Sequence, residues 1–92
     1  MFTVANRKER ETLIIKIKAD EFKATRIKKG FSQRGLGRAA NLSGALINQI
    51  ENSERNPSPD SAKKICDALG VEFDVIFFTE SVCSSKQKEQ VI

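Results

Sequence analysis

The sequence has no histidine among its 92 residues, and this absence excludes several classes of function. Without histidine there is no Ser-His-Asp triad, no imidazole general base and none of the common zinc sites. The only two cysteines, Cys66 and Cys83, are too far apart in sequence for a CxxC redox pair or metal site. Two cysteines also do not make a disulfide scaffold, so we expect a reducing compartment.

Long apolar segments are missing as well. The longest apolar run is four residues, at 75–78, whereas a bilayer span needs roughly 20 and a signal peptide also needs a longer apolar region. Hydrophobic residues make up 39% of the chain and charged residues 30%, which is typical of a globular protein. We therefore expect a single cytoplasmic domain with no membrane partner.

Sites for phosphate, metal or cofactor are not visible in the sequence. No GK[ST] follows the closely spaced Gly30, Gly35 and Gly37, which excludes a phosphate-binding loop. The acidic residues of the C-terminal region lack the spacing of metal ligands, and no nucleophile has a base beside it. We predict a protein that is not an enzyme and uses no metal or cofactor.

The charge is unevenly distributed. The net charge is +4, from 16 basic and 12 acidic residues. Residues 1–31 carry nine basic and four acidic side chains, 32–70 carry five and four, and 71–92 carry two and four. A basic front half indicates a polyanionic partner, while an ordinary solvated surface explains the charge equally well.

One segment has the pattern of a β-strand. Hydrophobic residues alternate over residues 12–18, TLIIKIK, and many are β-branched. Because a lone strand leaves its backbone groups unpaired, it needs a partner. Residues 76–83 are the only other candidate, and pairing either within the chain or across a dimer satisfies the pattern.

Five helices are predicted from capping residues and helical spacing. Asp20 is an N-cap or first-turn acid for a helix that ends at Lys29, with Phe22 and Ile27 facing the core. Serines cap the next three helices, and the predicted ranges of helices two to five are 32–40, 43–52, 59–69 and 71–77.

Residues 32–52 are predicted to form a helix, a three-residue turn and a second helix. Gly37, Ala39 and Ala40 are small residues where two helices in this arrangement cross closely. Such a crossing presents the start of the second helix to solvent, where a DNA major groove can accept it.

In this helix-turn-helix region and around it, the chain resembles the Xre/Cro-type helix-turn-helix family of phage repressors and related regulators. The matching pieces are Arg26 with KKGFSQ, SGALINQIEN, RNPSP and ALGVEFDVIF, in that order. The resemblance implies an all-α, five-helix, lambda-repressor-like domain, here with a short terminal strand pair. It covers residues 20–78 and leaves 1–19 as a basic arm with the strand and 79–92 as a tail.

The resemblance also assigns roles to residues of this sequence. Arg26 and Glu51 match a pair that joins helix one to helix three. Base contacts fall to the outward positions of helix three, which are Gly44, Ala45, Asn48 and Gln49. Phosphate contacts fall to Gln33, Arg34, Arg38, Asn52, Arg55 and Asn56, although Gln33 suits simple helix capping too.

Two of the base-contacting positions have little chemistry of their own. Gly44 has no side chain, and Ala45 can touch only a thymine methyl group. DNA shape, or the basic residues Arg7, Lys8 and Arg10 in a minor groove, can add specificity. The alternative for these three is a solvated charge run.

Relatives usually have glycine where Ser53 stands.

The resemblance further implies a two-fold dimer that reads palindromic double-stranded DNA. Its predicted interface is Phe73, Val75, Ile76 and Phe78, with strand 12–18 as an extension. The predicted function is a transcriptional repressor of a phage, mobile element or restriction-modification system, relieved by a partner such as an antirepressor. The alternative is an antitoxin or interaction module that binds a toxin or other protein through its apolar C-terminal region.

Overall fold

The computed structural model describes residues 11–83, which form five helices and one two-stranded sheet. The elements in chain order are β1 (Glu11–Ile17), α1 (Ala19–Lys28), α2 (Gln33–Ala40), α3 (Gly44–Glu51), α4 (Pro59–Leu69), α5 (Phe73–Ile76) and β2 (Phe77–Cys83). The predicted fold class is confirmed. No helix in this part of the chain is both long and apolar enough to cross a membrane.

The helix boundaries follow from local chemistry. The side-chain oxygens of Ser32, Ser43 and Ser58 each accept a hydrogen bond from the backbone N–H three residues later, at 2.9–3.1 Å. These bonds satisfy N–H groups that have no partner inside the helix. Asn41 and Gly70 end α2 and α4 in the left-handed conformation, at φ 62° and 69°. The predicted caps and stops are therefore confirmed.

The predicted strand pairs within the chain. β1 and β2 are antiparallel, with a register that runs from Glu11 opposite Cys83 to Ile17 opposite Phe77. The backbone N–H of Lys18 then donates to the carbonyl oxygen of Ile76 at 2.8 Å. The sheet is thereby attached to the helices where β1 ends and β2 begins.

A single core joins the helices to the base of the sheet. Phe22 of α1 and Phe77 of β2 are fully buried, and their ring centroids lie 6.1 Å apart. The other fully buried large side chains come from all the remaining helices, and they are Leu36, Ile47, Ile50, Ile65, Leu69 and Ile76. Ile15 and Ile17 of β1 pack against this cluster.

The predicted core position of Ile27 and the predicted crossing position of Ala39 are wrong. Ile27 is 56% exposed because it follows Phe22 by five residues, which places it well off the buried side of α1. Arg26, four residues after Phe22, takes the inward position instead. Ala39 is also exposed, whereas Gly37 and Ala40 are buried where α2 meets its neighbours.

The predicted dimer residue Ile76 is also wrong. It is completely buried and belongs to the core, so it cannot lie at a surface between subunits. The fifth helix is shorter than predicted because β2 begins at Phe77, and Ile76 is its last inward residue. Phe73 is partly buried against Phe77, with ring centroids 5.4 Å apart. Only Val75 and Phe78 of the predicted set are exposed.

Gly37 allows α2 to approach the turn before α3. A Cβ atom at this position would lie 2.8 Å from the carbonyl oxygen of Leu42 and 3.1 Å from the backbone nitrogen of Gly44. These neighbours are backbone atoms that cannot rotate away. The crossing of the two helices therefore requires glycine here.

Replacing Gly37 with alanine should destabilise the domain. The added methyl group would separate α2 from the turn, and such overpacking costs about 1–3 kcal/mol. Urea denaturation would measure the loss. Gly35→Ala is the matched control, since its Cβ would meet only the Ser32 hydroxyl and a phenyl carbon. Equal stability of the two variants would rule out the close approach as the reason for glycine at 37.

Cys66 lies at the edge of the core. It borders a cleft of about 560 Å³ between α4 and the sheet, beside Leu13, Ile15 and Phe73. Burial raises the pKa of the Cys66 thiol, and the negative charges of Asp67 and Glu72 raise it further. The thiol therefore stays protonated at a pH where an exposed cysteine ionises.

Cys66 should react slowly with thiol reagents while the protein is folded. In a Cys83→Ser variant, Cys66 is the only cysteine. At pH 8.5 its labelling should be about tenfold or more slower in the native state than in urea, because the thiolate is the reactive form. Because the pKa of the Cys66 thiol is higher in the folded state than in the unfolded state, the thiol stabilises the folded protein at low pH. This stabilisation should be lost as pH rises above the ordinary thiol pKa. Equal labelling rates would contradict the burial.

Candidate nucleic-acid interface

A buried ion pair fixes α3 in place. The Nε atom of Arg26 donates to Glu51 Oε1 at 2.8 Å, and Nη2 donates to Oε2 at 3.1 Å. The third nitrogen, Nη1, donates to the carbonyl oxygen of Phe31 at 2.8 Å. Arg26 is 8% exposed and Glu51 is 7% exposed. One guanidinium therefore joins α1, the segment before α2 and the end of α3.

The outward face of α3 contains the residues expected to contact DNA. Ala45 and Asn48 are exposed, and Gln49 is half-buried. Asn52, which follows the helix, is exposed as well. The spacing 45, 48, 49 and 52 places all four on one side of a helix. The opposite side is anchored by the buried Ile47 and Ile50.

Three side-chain amides form a continuous chain across the two helices. Asn48 donates from Nδ2 to Oε1 of Gln33, the first residue of α2, at 3.1 Å. Asn52 donates from Nδ2 to Oδ1 of Asn48 at 3.3 Å. We call Gln33, Asn48 and Asn52 the amide chain. It orients Asn48 from both sides and leaves the Gln33 amide group able to donate outward.

Gly44 has a packing role that sequence reasoning missed. A Cβ atom at Gly44 would lie 3.0 Å from Cγ and 3.3 Å from Cα of Arg34. The start of α3 therefore lies directly against the start of α2. The signal for this contact was present, since glycine is a poor helix former, but only the pairing of the helices reveals its cause.

The segment after α3 turns sharply without glycine. Ser53 adopts φ 62°, and Glu54 N–H then donates to the carbonyl oxygen of Gln49 at 2.8 Å. A left-handed conformation costs a residue with a side chain roughly 1–2 kcal/mol. Arg55 and Asn56 follow this turn, and both are exposed.

Five of the six predicted phosphate-contacting residues are exposed, Gln33 is half-buried, and three of the six are arginines. Arg34 and Arg38 on α2 and Arg55 after α3 make no ion pair within residues 11–83. The acidic Glu51 is neutralised by Arg26, so the balance here is positive. The predicted arm residues Arg7, Lys8 and Arg10 lie outside the described residues. Within the described part, no three acidic or cysteine side chains are grouped as metal ligands.

A helix-turn-helix family model matches residues 22–76, well over half of the chain. That range contains all five helices except the first turn of α1, and it includes the α2–α3 pair and the Arg26–Glu51 ion pair. This protein belongs to the Xre-type helix-turn-helix family.

Similar proteins of known sequence or structure support the same family assignment. The chain is 42% identical to the uncharacterized HTH-type transcriptional regulator YqaF of Bacillus subtilis (strain 168). The match extends over 62 residues, which are 67% of this chain and 79% of the relative. The restriction-modification controller protein C.AhdI from Aeromonas hydrophila superposes with a TM-score of 0.58 at 27% identity. That match covers 61% of this chain and 85% of the controller.

A second controller has a similar structure. The restriction-modification controller protein C.Esp1396I matches at 31% identity with a TM-score of 0.54, over 59% of this chain and 70% of its own. These likenesses and the family make the chain a DNA-binding helix-turn-helix transcriptional regulator. Family and neighbours alike are regulators rather than enzymes.

Breaking the buried ion pair should be strongly destabilising. Glu51→Ala would leave the Arg26 guanidinium buried without its carboxylate, which costs about 3–5 kcal/mol in comparable pairs. The urea midpoint should fall accordingly. In the double variant Arg26→Met, Glu51→Leu, most of this loss should be recovered, since no charge remains buried.

An exposed pair provides the control for this experiment. Lys63 and Asp67 on α4 lie 3.2 Å apart, with side chains 75% and 67% exposed. Asp67→Ala should change stability by less than about 1 kcal/mol. If Glu51→Ala were no more harmful than Asp67→Ala, the ion pair would not be what positions α3.

Proposed function

We propose that this regulator is a repressor that binds a palindromic operator as a two-fold dimer, with α3 in the major groove. The base-contacting residues are Gly44, through its backbone, and Ala45, Asn48 and Gln49, through their side chains. Phosphates are bound by Gln33, Arg34, Arg38, Asn52, Arg55 and Asn56. In a dimer of this type the two α3 helices lie one DNA turn apart, about 34 Å.

The observation that carries this proposal is the amide chain on the exposed face of the helix pair. Asn48 donates a hydrogen bond to Gln33 at 3.1 Å. A DNA phosphate bound by Gln33 at the start of α2 would therefore hold the Asn48 side chain in place beside the bases. Gln49 lies next to Asn48 and can form two hydrogen bonds with an adenine edge. Exposed arginines lie before and after this face, where the DNA backbones would run.

The regulated system is proposed from the structural neighbours. Two of them are restriction-modification controllers, which supports a role in such a system. A phage or other mobile element is the alternative setting, in which an antirepressor protein would relieve binding. The experiment below identifies the operator without assuming either setting.

A second candidate function rests on exposed apolar side chains. Val75, Phe78 and Val82 are 42%, 41% and 37% exposed, so the C-terminal part of the fold could bind a toxin. An antitoxin of this kind would co-purify with its toxin. A regulator that purifies alone and still selects an operator would leave the repressor as the function.

Selection from a randomised duplex pool at physiological salt should enrich a palindromic sequence. The bound DNA, once sequenced, gives the operator. Binding without enrichment would contradict sequence-specific recognition by α3, and absence of binding would reject the proposed function.

Two variants should separate base contacts from phosphate contacts. Gln49→Ala should relax the preference at one base position in each half-site, a difference of about 1–3 kcal/mol. Arg55→Ala should weaken binding to all sequences alike and lower the slope of log K against log salt by about 1. Equal behaviour of both variants and the parent protein would overturn these assignments.

A further inference from the structure

The two-stranded sheet has an inner and an outer face. Because side chains alternate along a strand, Ile17 and Phe77 point with their neighbours toward the core. The residues of the opposite face, which we call the outer sheet face, are Thr12, Ile14, Lys16, Phe78, Glu80 and Val82. None of these six belongs to the buried core or to the residues packed against it.

The outer sheet face exposes more apolar surface than a small sheet tolerates well. Phe78 is 41% exposed and Val82 is 37% exposed, and Ile14 lies between them on β1. Val75, just before β2, is 42% exposed. A two-stranded sheet is marginally stable in water unless a face is covered. The inner face is covered only where Ile15, Ile17 and Phe77 meet the helices.

The charges on this face are balanced. Lys16 and Glu80 are its two charged residues, and Lys16 Nζ lies 3.9 Å from Glu80 Oε1. Their side chains are 40% and 53% exposed, so both can still reach a partner. One positive and one negative group side by side suit neither a nucleic acid nor a strongly acidic peptide. They do suit a copy of the same face, because a two-fold axis that passes midway between them brings Lys16 of each copy to Glu80 of the other.

We propose that the outer sheet face binds the outer sheet face of a second copy of this chain. Ile14, Phe78 and Val82 form the apolar centre of this interface. Lys16 of each subunit pairs with Glu80 of the other, in addition to the pair within each sheet. This proposal rests on the dimer of the proposed function and specifies which surface forms it.

Charge reversal tests the proposal, because the two reversals are complementary only between chains. Lys16→Glu gives a face with two negative groups, and Glu80→Lys gives one with two positive groups. Each variant alone should self-associate about tenfold or more weakly than the parent, since like charges would meet across the axis. An equimolar mixture should restore association, as heterodimers bring negative to positive at both pairs.

The mixture separates the proposal from a folding defect. Each variant loses its ion pair within the sheet, and mixing cannot restore that pair. Recovery on mixing, measured by analytical ultracentrifugation, therefore requires contact between the faces of two chains. Circular dichroism would check that each variant keeps the helical content of the parent. A mixture that remains as dissociated as its components would overturn the proposal.

The matched control reverses an exposed ion pair elsewhere. Lys64 and Asp60 on α4 lie 3.3 Å apart, and Lys64→Glu, Asp60→Lys and their mixture should all associate like the parent. Failure of this inference is distinguishable from failure of the proposed function. If the parent is a monomer in solution yet selects a single half-site, the dimer surface is wrong and the DNA-reading helix stands. If neither half-site nor palindrome is selected, the function itself fails.

Discussion

The position of α3, the proposed DNA-reading helix, depends on the buried Arg26–Glu51 ion pair. Arg26 binds both carboxylate oxygens of Glu51 and the carbonyl oxygen of Phe31, and so connects three segments that are distant in sequence. A hydrophobic contact could hold α3 near α1 as firmly, but it would not fix the direction of the helix axis. Two-point bonding by a planar guanidinium does so. Because both charges are buried, neither partner can be lost alone without a large cost.

Two glycines determine how closely α2 and α3 approach each other. Gly37 makes room for the backbone of the turn, and the neighbouring Gly44 makes room for Arg34. With the helices this close, Gln33 can reach Asn48 directly. The proposed DNA-contacting surface is therefore shared by both helices, since Gln33 of α2 orients Asn48 of α3.

Local features of this fold were predictable because local chemistry determines them. The three serine caps, the left-handed Asn41 and the alternation of β1 each involve only a few neighbouring residues, and the structure agrees with them. The family resemblance assigned DNA contacts to α2, α3 and the segment after α3, and these contacts stay a prediction. Ile27 was misplaced because a residue five positions after Phe22 leaves the buried side of the helix, and Ile76 because its burial depends on contacts with distant segments.

The remaining unpredicted features also come from contacts between distant segments. The packing role of Gly44 requires knowing that Arg34 lies 3.0 Å from where its Cβ would be. The hydrogen bond between Gln33 and Asn48 spans 15 residues. The choice between pairing within the chain and across a dimer could not be made from the alternation of β1 alone. Each depends on the assembled fold, and even the glycine at 44 does not reveal its neighbour in a short window of sequence.

The sheet joins two strands that are separated by the entire helical domain. Glu11 pairs with Cys83, and even the nearest pair, Ile17 with Phe77, encloses five helices. Such long-range pairing becomes favourable only after the helices have brought its ends together, since loop closure costs conformational entropy. During synthesis β1 must therefore wait for β2 to leave the ribosome. The helices can fold first, and whatever the sheet contributes is added only when translation has passed residue 83.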